Sequence, residues 1–282
     1  MRDGKRWCTA PNWPSIQSQG RKQLSAYLAG ARFVLVSAEK GWKMILFLGD
    51  THGRFAHVLE VVQQAQPAAI VFLGDLQAQR PLHEELAAIV DSTAIWFIHG
   101  NHDTDSNADY DHLFGSALAE RNLHGRVVEI DGQRIAGLGG VFRGQVWMPP
   151  GPWAYESPSD FAEHCGKGNL WRGGVPRRHR SSIFPSDFQA FAGLRADILV
   201  SHEAPSAHPN GFSAIDELAR SLRVRKAFHG HHHDRLDYSA HAERLGFAAH
   251  GVGFCGVSDV DGRVLRAGDF DWRVPGDPWV VK

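Results

Sequence analysis

Short apolar runs that stop at a glycine, a carboxylate or a histidine recur along the chain. Met44–Leu48 is unbroken and apolar, and it ends in Gly49-Asp50-Thr51-His52-Gly53. Ala69–Leu73 ends in Gly74-Asp75, and Ala94–Ile98 ends in His99-Gly100-Asn101-His102-Asp103. Runs this short, closed by turn residues, predict strands buried on both faces. Phe55, Val58, Leu59 and Val62 lie between the first two runs, and Leu82, Leu86, Ile89 and Val90 between the next two. Both sets have helical spacing. Strand–helix–strand units of this length predict parallel neighbours joined by right-handed crossovers. Further on, Asp197–Ser201 runs into His202, and Val224–Phe228 runs into His229-Gly230-His231-His232-His233. Five predicted strand ends thus carry oxygen or imidazole donors, at the sheet edge where open α/β proteins place ligands.

The rest of the pattern fills in around these strands. Arg126–Ile130 and Gln133–Leu138 flank Asp131-Gly132, a strong hairpin signal. A helix is expected at Asp109–Arg121, and another at Ser213–Leu222 with Ser213 as N-cap and Asp216 three residues on. Residues 245–271 read as closing strands around an Asp261-Gly262 turn. Residues 143–186 break the rhythm with Trp147, Trp153, Tyr155, Trp171 and the run Arg177-Arg178-His179-Arg180. This stretch reads either as an insertion over the sheet edge that shapes substrate access, or as a surface excursion with a solvated basic patch. Arg143, Arg177 and Arg178 are its candidates for holding phosphate. Residues 1–43 lack periodicity, apart from Arg32–Val36, and read as a poorly ordered N-terminal extension. The expected domain is 44–282, an α/β unit of two packed sheets flanked by helices.

Composition narrows the function classes. The chain has 282 residues, 43% of them hydrophobic, enough for a substantial core. A formal charge of −1 and a pI near 7.0 give no bulk attraction to nucleic acid or an anionic membrane. No apolar run has the length of a membrane span, and no secretory h-region is present. Cys8, Cys165 and Cys255 are scattered, without finger spacing or disulfide arithmetic, which fits a cytoplasmic protein. Nothing in the pattern fixes an oligomeric state.

Five blocks, Asp50-Thr51-His52, Gly74-Asp75, Gly100-Asn101-His102-Asp103, Ser201-His202 and Gly230-His231-His232-His233, occur in that order. Together they resemble the signature blocks of the calcineurin-like metallophosphoesterases, and the resemblance covers most of the chain from Met44 onward. It implies an αββα sandwich of two mixed β-sheets around two divalent metal ions, of Mn, Fe or Zn type. It implies Asp50, His52 and His233 on the first metal, Asn101, His202 and His231 on the second, and Asp75 bridging both. Oxygen and imidazole donors without thiolate suit such ions. The implied reaction is phosphoester hydrolysis by a hydroxide bridging the two metals, with His102 as general acid or charge stabiliser. Asp103 is expected to hold the other ring nitrogen of His102. His229 and His231 share the spacing of His231 and His233. The resemblance selects the latter pair, because Gly230 directly precedes His231. His99, His229, His232 and His250 lie near the expected site and read as supporting or incidental residues rather than ligands.

Departures from the family pattern bear on the substrate. The second block continues Leu76-Gln77-Ala78-Gln79-Arg80, where the Ser/Thr protein phosphatases carry an arginine directly after Val-Asp. The third block ends in Asp103 rather than glutamate. Both favour a phosphodiesterase or broad-specificity phosphoesterase over a Ser/Thr-type protein phosphatase. A nucleic-acid phosphodiesterase would use the aromatics and arginines of 143–186, against the neutral pI. From another class stands a non-catalytic metal-binding interaction scaffold. Such scaffolds typically lose ligands or the His102 equivalent, and this chain keeps them all.

Overall fold

The structure is a computed structural model that describes residues 44–271. The expected N-terminal extension, with the Arg32–Val36 run, lies outside the described residues. β1 (Ile45–Leu48) and β2 (Ala69–Phe72) are buried at every position, as continuous apolar runs require. β2 pairs in parallel with β1 on one side and with the edge strand β3 (Ala94–Phe97) on the other. β9 (Val257–Asp259) runs antiparallel to β1 and carries β10 (Val264–Arg266) outside it. The order of this sheet is β10-β9-β1-β2-β3.

The second sheet contains β4 (Arg126–Ile130), β5 (Gln133–Leu138), β6 (Ile198–Ser201), β7 (Lys226–His229) and β8 (Ala248–Gly251), in that order. Only the β4–β5 hairpin is antiparallel. Asp131 and Gly132 form its turn with φ of 46° and 76°, the left-handed pair that a two-residue hairpin demands. Two mixed five-stranded sheets flanked by helices make the expected αββα sandwich.

Alternation along β1 explains the layering. Ile45 and Phe47 face the second sheet and pack with Val71, Ile198, Val200 and Phe228. The Phe47 and Phe228 rings stack across the sandwich with centroids 4.0 Å apart. Leu46 and Leu48 face the other way, against Val58, Val62, Leu82 and Leu86. Each such burial stabilises by about 1.5–3 kcal/mol. The outer face of the second sheet is covered by Ile215, Leu218 and Leu222 of the helix Ser213–Leu222.

Several local expectations are corrected. The first crossover is a helix, Ala56–Ala65, but the second is helical only over Leu82–Glu85. Beyond it, bonds such as Ile89 N to Leu86 O (2.9 Å) wind the chain in turns. The adjacent β-branched Ile89 and Val90 favour this over regular helix. The helix expected at Asp109–Arg121 spans Asn107–Phe114 instead and stops at Gly115, and Ala119–Arg121 is a separate 3-10 turn. Ser106 caps it by accepting from Asp109 N at 3.0 Å. Ser213 is not an N-cap. Phe212 holds that position, and Asp216 accepts from Ser206 N (2.9 Å) and Oγ (2.5 Å).

Residues 143–186 fold around apolar side chains as well as carrying the basic run. Val146, Phe161, Val175 and Phe184 build a small core of their own. Arg172 pairs with Asp111 on the helix Asn107–Phe114.

Candidate metal centre

The parallel strands of both sheets end at one edge of the sandwich, and the chemistry-bearing residues follow them. Asp50 and His52 follow β1, Asp75 follows β2, and Asn101 and His102 follow β3. His202 follows β6, and His231 and His233 follow β7. Four of these residues, His52, Asp75, His231 and His233, have φ of 42°, 50°, 72° and 61°. Left-handed backbone at non-glycine residues costs about 1–3 kcal/mol each and persists where the surroundings over-determine it. Gly100 permits the close approach of the loops, since a Cβ there would meet Asp75 Oδ1 at 2.2 Å.

Two groups of donor atoms converge, each with all members within 4.8 Å of one another. One is Asp50, His52, Asp75 and His233, and the other is Asp75, His202 and His231. Asp75 belongs to both. His233 Nε2 lies 3.2 Å from Asp50 Oδ2, and His202 Nε2 lies 3.4 Å from Asp75 Oδ2. Asn101 Oδ1 is 3.2 Å from His202 Nε2 and so joins the second group. His52 Nε2 and His233 Nε2 face each other at 3.0 Å. Asp50 Oδ1 is buried without a hydrogen-bond partner. Facing imidazole nitrogens, a shared carboxylate and an orphaned buried oxygen are a donor set that fits divalent cations.

The rings are held from behind. His202 Nδ1 donates to Leu73 O at 2.7 Å, which turns Nε2 toward the donors. His52 Nδ1 is fixed at 2.5 Å by Gln77 Oε1. Asp50 Oδ2 accepts the His231 N–H at 2.8 Å. Such partners set tautomer and orientation. Burial alone would raise the Asp75 carboxyl, but His202, His102 and His52 outweigh it and hold it below the usual range. Burial would lower His202, and the Asp75 and Asp50 carboxylates override it and push the ring up.

The expected pairing of His102 with Asp103 does not form. His102 Nδ1 contacts Asp105 Oδ2 at 2.5 Å. His102–Thr104 is a 3-10 turn, in which residues three apart stand in line and the next residue points elsewhere. Burial would lower the His102 pKa, but Asp75 and then Asp105 outweigh it, so the net shift is upward. Asp103 is fully buried and accepts from Leu76 N (2.8 Å), Gln77 N (3.0 Å) and Gly100 N (2.8 Å). It ties the loop after β2 to the loop after β3. Burial and then the Asp75 charge push its carboxyl up, against those backbone donors.

Of the three arginine candidates, Arg143 alone lines the cleft beside Asn101 and His231. Its Nη1 donates to Ser181 O at 3.0 Å, and burial, then Arg178, lower its pKa to about 10. Arg177 is committed elsewhere, to Thr104 O (3.1 Å), Asn107 Oδ1 (2.7 Å) and Asp105 O (2.6 Å). It buttresses the loop that carries His102. Arg178 acts on Arg143 as a like charge and does not line the cleft. Arg80, the displaced arginine of the second block, pairs with Glu85 at 3.1 Å on the surface.

The other histidines of the tract join neither donor group. His229 is buried with Nε2 on Tyr238 Oη at 3.0 Å, and His232 stacks on His208 with centroids 3.8 Å apart. Asp105, Gln77 and Glu203 are the residues that sequence reasoning missed. The i+3 spacing from His102 could have found Asp105. Gln77 and Glu203 carry no local signal. Glu203 is buried, its Oε1 accepts from Phe142 N at 2.9 Å, and burial pushes its carboxyl up to about 7.

The sequence profile described as calcineurin-like phosphoesterase matches residues 43–235. An uncharacterized protein of Haemophilus influenzae (strain Rd) is 44% identical over 222 residues, which cover 79% of this chain and 96% of that protein. The crystal structure of TT1561 of Thermus thermophilus superposes with a TM-score of 0.51 at 13% identity, covering 81% of this chain and 99% of that one. That likeness shows the fold.

Proposed function

The chain belongs to the calcineurin-like phosphoesterase family, and from that premise we propose that it is a dinuclear metal-dependent phosphodiesterase. The observation that carries the reading is the pair of donor groups sharing Asp75. Asp50, His52, Asp75 and His233 would hold one divalent cation, and Asp75, Asn101, His202 and His231 a second, of Mn, Fe or Zn type. Such a pair supplies Lewis acidity and a nucleophilic water at neutral pH.

The chain's own residues supply the rest. Only Asp50 and Asp75 among the seven donors are anionic, so the loaded site attracts a phosphate. Arg143 adds a cation at the cleft wall. His102 Nδ1–H donates to Asp105, and its protonated ring carries a second proton on Nε2 for the departing alcohol oxygen. The diester preference is supported by the scarcity of arginine. Gln77 sits on His52, Arg80 is paired away and Arg177 is committed to Thr104 O, Asp105 O and the Asn107 side chain. Among the described residues Arg143 is the one arginine lining this cleft, which suits a singly charged diester better than a monoester dianion. A cytoplasmic setting belongs to the same reading, supported by free Cys165 and Cys255. Among the described residues no helix is long and apolar enough to cross a membrane.

The test compares p-nitrophenyl phosphate with bis(p-nitrophenyl) phosphate in Mn²⁺, for wild type and Asp75→Asn. Diester hydrolysis that chelation and Asp75→Asn both abolish is the expected result. Faster monoester hydrolysis would move the reading to a phosphomonoesterase. No hydrolysis of either, with metal bound, would move it to a scaffold.

A further inference from the structure

A cavity of about 480 Å³ opens in the insertion of residues 143–186, with His124 and Asp187 also on its wall. None of the seven metal-donor residues lines it, nor do His102 and Arg143. Its volume falls within the roughly 300–1,000 Å³ typical of small-molecule sites. We infer that this cavity binds a zwitterionic small molecule, an α-amino acid with an apolar side chain, its carboxylate on Arg180 and its ammonium on Asp187 and Glu163. Such a site stands apart from the phosphodiesterase reading and does not depend on it.

Arg180 is the one arginine on this wall. Its Nη2 donates to Trp171 O at 3.0 Å, and its guanidinium carbon lies 5.6 Å from the Trp171 ring centroid. Among the described residues no carboxylate pairs with it, and its Nε has no hydrogen-bond partner. A guanidinium presents five N–H donors in a planar fork that matches a carboxylate. Partly buried and without a counter-charge, Arg180 gains from an anion in the cavity. Two acids share the wall with it. Asp187 Oδ2 accepts from Phe184 N at 2.8 Å, while Oδ1 has His124 Nε2 at 3.5 Å, too long for a good hydrogen bond. Glu163, exposed on the helix Pro158–His164, makes no side-chain hydrogen bond or ion pair among the described residues. An anion alone is repelled by the two acids, and a cation alone is repelled by Arg180. A zwitterion satisfies both signs. Ala162, Val175 and Phe184 add apolar wall, continuous with the small core of the insertion. They favour a ligand with an apolar side chain over a wholly polar zwitterion such as phosphoethanolamine.

Calorimetry on the metal-free full chain tests the idea with leucine and two analogues, 4-methylpentanoate, which lacks the ammonium, and isoamylamine, which lacks the carboxylate. Leucine should bind about tenfold or more tighter than either, as a hydrogen bond between charged groups allows. Glycine and phosphoethanolamine, without the apolar side chain, should also fall behind leucine. Arg180→Gln should reduce leucine to the level of isoamylamine. Because Arg180 also holds Trp171 O, the decisive variants are on the acids. Glu163→Gln and Asp187→Asn should each weaken leucine severalfold and leave 4-methylpentanoate no weaker. Glu163 is exposed and unpaired among the described residues, so its replacement should not move the melting temperature. No binding of leucine at millimolar concentration, equal binding of 4-methylpentanoate or isoamylamine, tighter binding of phosphoethanolamine, or unchanged leucine affinity in both acid variants would overturn the proposal. Because the chain is metal-free in every arm, loss of the phosphodiesterase reading would leave these outcomes untouched.

Discussion

His102 takes its carboxylate partner from Asp105, at 2.5 Å between Nδ1 and Oδ2, while the neighbouring Asp103 turns into the core. Two acids in one loop therefore do different work. Asp105 keeps the His102 proton on the outward ring nitrogen. Asp103 knits together the loops that present Asp75 and Asn101.

Asp105→Asn should lower kcat for diester hydrolysis by about tenfold, the worth of one hydrogen bond to a charged group, with KM little changed. The bond is half exposed, and the melting temperature should hardly move. A kcat equal to wild type would show that His102 is oriented by something else.

Asp103→Ala should act on stability first. Three backbone N–H groups lose their acceptor, at about 1 kcal/mol each or more. Urea unfolding should show a loss of about 3 kcal/mol. An unchanged midpoint would mean that water replaces the clamp at no cost.

Gly100→Ala should disturb the shared carboxylate directly. The new Cβ would lie 2.2 Å from Asp75 Oδ1 and 2.5 Å from Asp75 N, so one loop must move. Overpacking of this kind costs about 1–3 kcal/mol. Metal content per chain after Mn²⁺ loading and desalting should fall along with the melting temperature. Full metal content would place the shared ligand elsewhere.

Acid should destabilise the fold through histidines buried in neutral form. Burial, then Arg266, lowers His57 to about 4, and its Nε2 is buried without a partner. Burial, then Arg143, lowers His179 to about 4. The unfolded chain takes up these protons near pH 6.5, while the folded chain takes them up only near 4. The contribution of these two groups is therefore unchanged above 6.5 and is lost as pH drops from 6.5 toward 4. Each group contributes at most about 1.4 kcal/mol per pH unit. Denaturation midpoints at pH 7.5, 6 and 5 should decline less steeply in His57→Gln than in wild type. Parallel declines would remove His57 from the account.

Wherever local chemistry governs, pattern and structure agree. The apolar runs became β1, β2 and β6, buried at every position because such a strand has no polar side to place, and β3 and β7, in which Ala94 stays exposed and Trp96 and Lys226 only partly buried. Asp131-Gly132 became a hairpin because that turn needs two positive φ angles. The helices were less legible. Apolar spacing at Leu82–Val90 satisfies a core face whether the chain is helical or merely turning, and capping at Phe212 was decided when Ser206 captured Asp216.

The sequence by itself determined that donors end five strands, and that glycines and small loops follow them. Only the tertiary structure decided which donors meet. Asp50 faces His233 because the two sheets lie face to face, joined through rings such as Phe47 and Phe228, and no spacing along the chain encodes that packing. The same holds for the partners behind the site. Gln77 reaches His52, Glu203 faces His231, Asp105 replaces Asp103, and Arg177 is drawn into loop carbonyls that a sequence does not display. Side-chain partners across a fold are chosen by distance in three dimensions, and local periodicity carries only the faces from which they start.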